Sequence, residues 1–243
     1  MRQVLAFYLL YLKMLLAEKI ALIWSVIFPV VIALVFQRGF LNDATDEKEI
    51  VQYISFFWVF IIISIYINGI GLQIARIREY GLLKTYVMIT GNRYTFLTAI
   101  LLTQISFGAI SLLLFTSIVS IYYRAFSFNL LLSSLIVLLV SFPLAIASVS
   151  IAAIPIKFNN LSTIMNILVY PLFFLSLNSR SSNLLNYVNP YYIIHEITEI
   201  VINLLMGIDY TYNFYLLLLS ILLYLVVGLF IIKRFNLLSL TSR

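Results

Sequence analysis

Six long apolar runs that hold no Asp, Glu, Lys, Arg or His place the strongest constraint on the fold of this chain. Each run is long enough to cross a hydrocarbon core of about 30 Å as an α-helix, which rises about 1.5 Å per residue. A membrane β-barrel would show short strands of alternating polarity instead. The sequence therefore predicts an all-α integral membrane protein, one domain over residues 1–243. Its six transmembrane helices are expected at about 20–36, 51–75, 94–122, 128–156, 161–178 and 214–232.

The composition agrees with a membrane protein. Hydrophobic residues make up 63% of the chain and charged residues 10%, whereas a soluble domain is nearer half apolar and a quarter charged. The absence of cysteine excludes a disulfide framework, a thiolate nucleophile and a cysteine metal site. The net charge of +6 indicates a positive-inside topology rather than a nucleic-acid partner.

The first nineteen residues, 1–19, predict an amphipathic helix that lies on the cytoplasmic face of the membrane, with its basic residues toward lipid headgroups. A signal peptide is the alternative. It is disfavoured because the basic region is thin, no small-residue cleavage site follows, and another apolar run comes directly after. The polar residues of this segment are Arg2, Gln3, Lys13, Glu18 and Lys19.

Basic residues divide unevenly between the segments that join the predicted spans. With both termini in the cytoplasm, eleven of the fifteen Lys and Arg residues lie inside and four outside. The nine acidic residues divide the other way, with two inside and seven outside. By the positive-inside rule, we expect a multi-pass protein of the cell membrane with both termini in the cytoplasm.

The spans hold neutral polar side chains where many pumps hold ionisable ones. Proton-driven carriers, ion pumps and intramembrane metalloproteases usually need ionisable groups at depth. The chain also has no phosphate-binding loop, because no glycine is followed by lysine. The energy for any transport must therefore come from another chain. The neutral groups we consider candidates for a substrate path are Asn68, Gln73, Thr103, Gln104 and Asn166.

The segment 76–93, which we call the elbow, joins the second and third predicted spans and carries four basic residues. Gly81 and Gly91 bracket a stretch long enough for a helix of about two turns. Its apolar residues indicate a protein or membrane partner, so we expect it to dock on a soluble subunit; a role limited to membrane orientation is the alternative. The expected coupling residues are Arg76, Arg78, Glu79, Tyr80, Gly81, Leu82, Leu83, Lys84 and Tyr86.

The segment 179–213 is too polar for a standard span and too apolar for a free loop. We expect an outer re-entrant helical hairpin that dips into the outer leaflet or lies on it. Its polar residues fall on one stripe of a helix after a turn. The candidates for an outer gate are Asn189, Pro190, His195, Glu196 and Glu199.

His195 and Glu199 are spaced i, i+4 and could share a metal ion. The zinc-protease pattern needs a second histidine at the position of Glu199, however, and the chain has one histidine. We therefore expect no metal site and a polar stripe that faces the headgroup zone or a partner helix. A pH-sensitive contact and an acid–base group of a membrane enzyme that includes Glu196 are the alternatives.

The layout resembles that of ABC type-2 permeases, the membrane subunits of bacterial-type ABC exporters, over nearly the whole chain. In that family the coupling helix has a pattern like Arg-Glu-x-Gly-x-Leu-Lys, which reads here as 78–84, Arg-Glu-Tyr-Gly-Leu-Leu-Lys. The Pro-Leu-Phe-Phe-Leu-Ser phrase at 171–176 and the Asn-Pro-Tyr at 189–191 are similar to the end of the fifth span and to the outer segment. The chain departs from the family at Thr90-Gly91, where Thr-Pro is frequent, and at Leu177-Asn178, where a glycine is frequent.

The resemblance implies an assembly of two permeases and two cytoplasmic ATPase subunits. ATP and magnesium would bind the ATPase chains, and this chain would be a transport subunit without enzymatic activity or cofactor. The partners expected are the ATPase subunits, a second permease copy or paralogue, and membrane lipid. A hydrophobic or amphipathic cargo, a drug or an antimicrobial peptide, is favoured over a lipid or lipid-linked glycan. A channel or immunity scaffold without turnover is the further alternative.

Overall fold

The structure is a computed structural model that describes residues 2–17, 23–35, 47–177, 184–207 and 213–234. Within these residues all regular structure is helical, which confirms the all-α prediction. The α-helices are α1 (Arg2–Ala17), α2 (Phe28–Val35), α3 (Glu47–Ser64), α4 (Gln73–Glu79), α5 (Leu82–Thr90), α6 (Arg93–Tyr122), α7 (Phe128–Val140), α8 (Phe142–Ser148), α9 (Phe158–Leu177), α10 (Pro190–Met206) and α11 (Phe214–Arg234). π-Helical segments occupy Ile23–Ile27 and Ile65–Leu72, and 3-10 helices occupy Val149–Ala153 and Leu184–Val188.

Among the described residues, three helices are long and apolar enough to cross a membrane, namely Lys48–Glu79, Tyr94–Tyr122 and Phe214–Arg234. A fourth candidate is a broken span made of two helical segments, Phe128–Val140 and Phe142–Ala153, which meet the same criteria only when taken together. The angle between the two segments is 45°. The described residues thus support three or four of the six predicted spans. The π-helical segment Ile23–Ile27 together with α2 covers most of the predicted span 20–36, and α9 covers most of the predicted span 161–178. Residues 20–22, 36 and 178 lie outside the described part of the chain.

The fourth predicted span, 128–156, is not one straight helix. α7 ends before Ser141, α8 begins at Phe142, and the helical structure ends at Ala153. The break follows from Pro143, which has no backbone N–H and whose ring clashes with the carbonyl one turn earlier. At the break the Tyr66 hydroxyl donates a hydrogen bond of 3.1 Å to the Leu138 carbonyl and shares one of 2.9 Å with the Ser141 hydroxyl.

Hydrogen bonds between side chains and neighbouring helices tie the core together. Trp58 of α3 is fully buried, and its Nε1 donates a hydrogen bond of 2.8 Å to the Thr116 hydroxyl of α6. The Tyr53 and Tyr123 hydroxyls both donate to the Ala33 carbonyl of α2, at 2.6 and 3.2 Å. Interhelical bonds of this kind hold helices together where both the lipid and the helix surface are apolar.

α11 approaches α8 closely because a glycine lies at the contact. A Cβ atom at Gly228 would lie 2.8 Å from the Ala147 backbone nitrogen, which is shorter than any normal contact. Likewise, a Cβ atom at Gly71, in the π-helical segment, would lie 2.8 Å from the Ser148 carbonyl oxygen. Small residues therefore let the second span and α11 pack directly on the α8 backbone.

The predicted N-terminal helix 1–19 is observed as α1, which covers residues 2–17. α1 packs along α6: the Tyr8 hydroxyl donates to the Ser106 hydroxyl at 3.3 Å, and the Thr103 hydroxyl donates to the Tyr8 carbonyl at 3.4 Å. Its other face exposes Leu5, Leu9 and Leu16.

Candidate functional site

The elbow contains the short helix that its glycines predict. Gly81 and Gly91 adopt left-handed backbone conformations, with φ of 72° and 68°, and bound α5 at Leu82–Thr90. Glycine takes such angles without the steric cost that a side chain brings. After Gly91 the side chain of Asn92 accepts a hydrogen bond of 2.9 Å from the Tyr94 backbone N–H and so caps α6. The helix is therefore held between two fixed turns.

α5 has one face against the protein and one face open. Leu83 is fully buried and Tyr86 is half-buried. The Tyr86 ring lies edge-on to the Phe7 ring of α1, with 5.4 Å between the ring centres. Leu83 was predicted to be a docking residue, but it packs inside because it faces the core side of α5. The open face carries both apolar and polar side chains, and the Met88 side chain on it is 74% exposed. The exposed residues of this part of the chain are Tyr80, Leu82, Lys84, Thr85, Met88 and Ile89.

Arg78 lies inside the protein, contrary to its prediction as a docking residue. Its side chain is 4% exposed, and its guanidinium donates hydrogen bonds to the carbonyls of Ala152, Ile154 and Ile156, the last two at 3.1 and 3.3 Å. These carbonyls lie at and after the end of the 3-10 helix Val149–Ala153, where helix geometry leaves acceptors without partners. The planar, multiple-donor guanidinium can satisfy several of them at once, so Arg78 joins α4 to the segment before α9.

The other polar residues at the end of α4 remain nearer the surface. The Arg76 guanidinium carbon lies 5.0 Å from the centre of the Phe158 ring of α9, a cation–π contact. Glu79 is half-buried and Tyr80 is exposed. Of the expected coupling residues, Tyr80, Leu82 and Lys84 are therefore exposed on the open face, whereas Arg78 and Leu83 are not. The side chain of Arg93, at the end of the elbow, lies outside what the structure describes.

A cavity of about 290 Å³ lies between α1, the second span and α6. Four of the five predicted substrate-path residues line it. The fifth, Asn166, is exposed on α9 and is not among the lining residues, because no residue of α9 lines this cavity. The four residues that the structure brings together are Asn68, Gln73, Thr103 and Gln104.

The π-helical segment Ile65–Leu72 forms one wall of this cavity. Single π-helical turns within α-helices frequently occur at functional sites. Gly69 in this segment lies so close to α6 that a Cβ atom there would be 2.3 Å from Gln104 Oε1. Glycine at this position thus lets the Gln104 amide pack against the backbone of the π-helical segment.

In the segment 179–213, the helix α10 begins at a capping residue, Asn189. The Asn189 side chain accepts a hydrogen bond of 3.0 Å from the Tyr191 N–H and donates one of 2.8 Å to the Leu172 carbonyl of α9. Pro190 is the first residue of α10, where its missing N–H costs nothing. The Tyr224 hydroxyl, midway along α11, donates a bond of 2.6 Å to the Val188 carbonyl. The turn before α10 thus lies beside the middle of α11.

The polar stripe of α10 is more buried than predicted. Glu196 is 5% exposed and so does not face an open surface, because α10 packs against α3 and α7. His195 Nδ1 lies 3.6 Å from Glu199 Oε1, with side chains 31% and 17% exposed. Among the described residues no three His, Cys, Asp or Glu side chains are grouped to hold a metal ion.

Burial shifts the titration of this cluster toward neutral forms. It raises the pKa of Glu199 to about 7, with a contribution from the nearby Glu196 charge. Burial also raises the pKa of Glu196, against the effect of a hydrogen bond from Tyr192, and lowers the pKa of His195. Near neutral pH the His195–Glu199 contact is therefore a weakly charged pair whose state changes with pH.

Sequence reasoning missed two features of this region. The burial of Arg78 depends on carbonyls more than seventy residues later in the chain, and a charged residue in a loop carries no local signal of such partners. Tyr11 lines the cavity, although nothing in the sequence distinguishes it from the other aromatic residues of α1. No protein-family model, no curated protein and no solved structure matches the chain.

Proposed function

We propose that this chain is the transmembrane permease subunit of an ATP-driven ABC exporter of the type-2 kind. In this proposal a separate cytoplasmic ATPase docks on the elbow, and two permeases and two ATPase subunits form the complex. The observation that carries the proposal is α5, a short helix held between two left-handed glycines whose open face exposes apolar side chains. An apolar face next to exposed polar residues is typical of a protein-binding surface.

The contacts of the elbow suit the transmission of a movement into the membrane domain. α5 follows directly on α4, and Arg78 of α4 is hydrogen-bonded to the segment that leads into α9. On its other side, Tyr86 packs against Phe7 and Tyr11 of α1. A push on α5 therefore reaches α1, the second span and the start of α9 through direct contacts.

The proposed topology has six spans in the cell membrane and both termini in the cytoplasm. The first span would contain the helical stretch 23–35, and α9 would supply the fifth. α10 would be the returning arm of an outer re-entrant hairpin. The bond between Tyr224 and the Val188 carbonyl supports the hairpin, because it puts the turn at mid-depth of α11. Of the three unbroken candidate spans, α11 is the least buried: 22% of its most apolar stretch is buried, against 67% for Lys48–Glu79 and 56% for Tyr94–Tyr122. Its surface is therefore available to lipid or to the second permease.

The cargo proposed is an amphipathic or hydrophobic compound, a drug or a peptide. The cavity beside the second span combines neutral amide and hydroxyl groups with apolar walls, which suits molecules of mixed polarity. At the outer end, the cluster on α10 is the proposed gate.

Co-purification tests the docking. The tagged chain, extracted from native membranes in a mild detergent, should retain an ATPase subunit identified by mass spectrometry. Met88→Glu introduces a charge on the open face of α5 and should abolish retention, since an unpaired charge in an apolar interface is costly. Phe126→Glu is the matched control, because Phe126 is similarly exposed in the turn between α6 and α7. Retention by both variants, or by neither, would contradict docking on α5.

A further inference from the structure

Two neighbouring spans are irregular at the same level. In the second span, the regular helix α3 is followed by the π-helical segment Ile65–Leu72, and in the broken span α7 ends before Ser141 and α8 begins at Phe142. Sharp bends in helices occur mainly at π-helical turns and at prolines. The Tyr66 hydroxyl connects the two irregularities, because it reaches the Leu138 carbonyl at 3.1 Å and the Ser141 hydroxyl at 2.9 Å.

Beyond this level the two spans stay in direct contact. A Cβ atom at Gly71 would lie 2.8 Å from the Ser148 carbonyl oxygen, so the two backbones touch there. Further along, the buried Arg78 guanidinium donates a hydrogen bond of 3.1 Å to the Ile154 carbonyl. We call α4, α8 and the 3-10 helix Val149–Ala153 together the α4–α8 unit. The two contacts tie its parts closely enough for them to move as one body.

On the other side of the irregularities, α3 and α7 pack in a different group of helices. Both pack against α6 and α10. The Trp58 side chain of α3 donates a hydrogen bond of 2.8 Å to Thr116 of α6, and the Asn129 amide of α7 donates one of 3.2 Å to the Leu205 carbonyl of α10. The α4–α8 unit packs instead against α11, at Gly228. The two irregularities therefore separate two packed groups.

We propose that the π-helical segment and the break at Ser141 form one hinge, on which the α4–α8 unit turns as a single body relative to α3 and α7. Tyr66 is the positioning residue of this hinge, since its hydroxyl bonds hold the 45° angle between the two segments of the broken span. The Leu138 carbonyl also accepts a bond of 3.1 Å from the Ser141 hydroxyl. Release of Tyr66 therefore leaves this buried acceptor paired, and the hinge can open at small cost.

The hinge lies where a push on the elbow arrives. α4 leads directly into the elbow helix α5, and Arg78 of α4 bonds to the segment after the 3-10 helix. Because Ile65, Asn68 and Gly69 of the π-helical segment line the cavity, a turn at the hinge changes the shape of the cavity. The inference rests on the proposed function for the origin of the push, whereas the hinge itself needs this chain alone.

The movement can be measured as a distance. The segment Phe142–Ala153 is about 18 Å long at the rise of a helix, so a turn of about 10° at the break moves its far end by about 3 Å. The chain has no cysteine, so two introduced cysteines carry the only spin labels. Tyr122→Cys at the end of α6 and Lys157→Cys after the α4–α8 unit replace exposed residues on opposite sides of the hinge. Tyr94→Cys with Tyr122→Cys, both on α6, is the control pair.

Double electron–electron resonance measures both distances in the purified full chain, in detergent and without any ATPase. Tyr66→Phe removes the hydroxyl and keeps the ring. We expect the distance between labels at 122 and 157 to shift or broaden by about 3 Å, and the distance between labels at 94 and 122 to stay unchanged. Tyr53→Phe is the matched variant, because it removes a buried hydroxyl of the same span that bonds to the Ala33 carbonyl instead. It should leave both distances unchanged.

Ser141→Ala removes the other hydroxyl of the shared bond and decides the matter if Tyr66→Phe does not fold. Unchanged distances in these variants would overturn the hinge even if the unfolding midpoint falls, because a merely structural hydrogen bond lowers the midpoint without turning the α4–α8 unit. An equal change in the control pair would also overturn it, since it would indicate general loosening.

The result separates this inference from the proposed function. A response across the hinge in a chain that retains no ATPase would leave the hinge standing while the proposed function fails. Retention of an ATPase by a chain whose distances do not respond would leave the proposed function and remove the hinge.

Discussion

The guanidinium of Arg78 donates a hydrogen bond of 3.1 Å to the carbonyl oxygen of Ile154, 76 positions later in the chain. The same side chain also reaches the carbonyls of Ala152 and Ile156. It therefore joins the elbow to the segment that leads into α9, and it does so from a buried position where water competes little.

Replacement of Arg78 should destabilise the protein. In Arg78→Ala the buried Ala152 carbonyl and the half-buried Ile154 and Ile156 carbonyls lose this donor, and an unsatisfied buried acceptor costs about 1–3 kcal/mol. We expect a clear fall in the thermal unfolding midpoint in detergent, with partial recovery in Arg78→Lys, whose ammonium cannot span three acceptors as a guanidinium does. Lys84→Ala, at an exposed position of α5, is the control. A midpoint for Arg78→Ala equal to that of the wild type would show that the contact is unimportant.

A methyl group at Gly228 should separate α11 from α8. The new Cβ atom would lie 2.8 Å from backbone atoms of Ile146 and Ala147, which cannot move aside as a flexible side chain can. Overpacking of this kind costs about 1–3 kcal/mol, although alanine alone favours a helix over glycine by about 1 kcal/mol. Gly228→Ala should therefore lower the unfolding midpoint, and Val227→Ala at the exposed neighbouring position should not. A more stable Gly228→Ala protein would contradict the close α8–α11 contact.

The cluster of His195, Glu196 and Glu199 on α10 predicts a pH dependence of stability. Because the pKa of Glu199 is raised from 4.5 to about 7 in the folded protein, the folded state binds more protons than the unfolded state between these values. Stability should therefore fall as pH rises from about 4.5 to 7 and level off above. The half-buried His195 acts in the opposite direction, since its partial burial lowers its pKa. The Glu199 contribution is therefore measured with a variant.

Glu199→Gln removes this contribution. Above pH 7 the variant should be more stable than the wild type by about 1–3 kcal/mol, with the difference shrinking as pH falls toward 4.5. Thermal unfolding midpoints across this pH range measure it. Glu49→Gln, an exposed glutamate at the start of α3, should leave the curve unchanged. A constant offset between Glu199→Gln and the wild type at every pH would contradict a buried titrating carboxyl.

The turn before α5 should control coupling rather than folding. Gly81 has φ of 72°, which proline cannot adopt because its ring fixes φ near −65°. Gly81→Pro should reorient α5 and leave the complex with basal ATP hydrolysis that no longer responds to substrate. Gly81→Asn should retain the response, because asparagine tolerates left-handed angles. An unchanged response in Gly81→Pro, measured as phosphate release in proteoliposomes, would argue against α5 as the coupling helix.

The long apolar runs were enough to predict the helices, because a helix is the simplest way to satisfy backbone polar groups in lipid. The elbow helix was predictable for a second reason, since Gly81 and Gly91 mark where it begins and ends. The break at Ser141 follows from Pro143. The hydroxyl group of Tyr66 that bonds to the chain at the break could not be predicted, because it comes from another span.

The site was predictable in part. Neutral polar residues within spans must find partners or line a cavity, and this reasoning selected Asn68, Gln73, Thr103 and Gln104. It also selected Asn166, which is exposed on α9, a helix that contributes no residue to the lining of the cavity. The sequence of a span does not reveal which helices surround a cavity. The inward direction of Arg78 could not be predicted for a related reason, since its acceptors come together only in the folded chain.

Transport by the reconstituted chain tests the central claim most directly. The purified chain is placed in proteoliposomes alone, or with its co-purified ATPase and ATP, and movement of a fluorescent amphipathic dye and a labelled amphipathic peptide is followed. An ATP-driven permease predicts transport of at least one probe only when ATPase and ATP are both present, and its loss in Met88→Glu. Transport by the chain alone, with no ATPase partner in the preparation, would contradict the account.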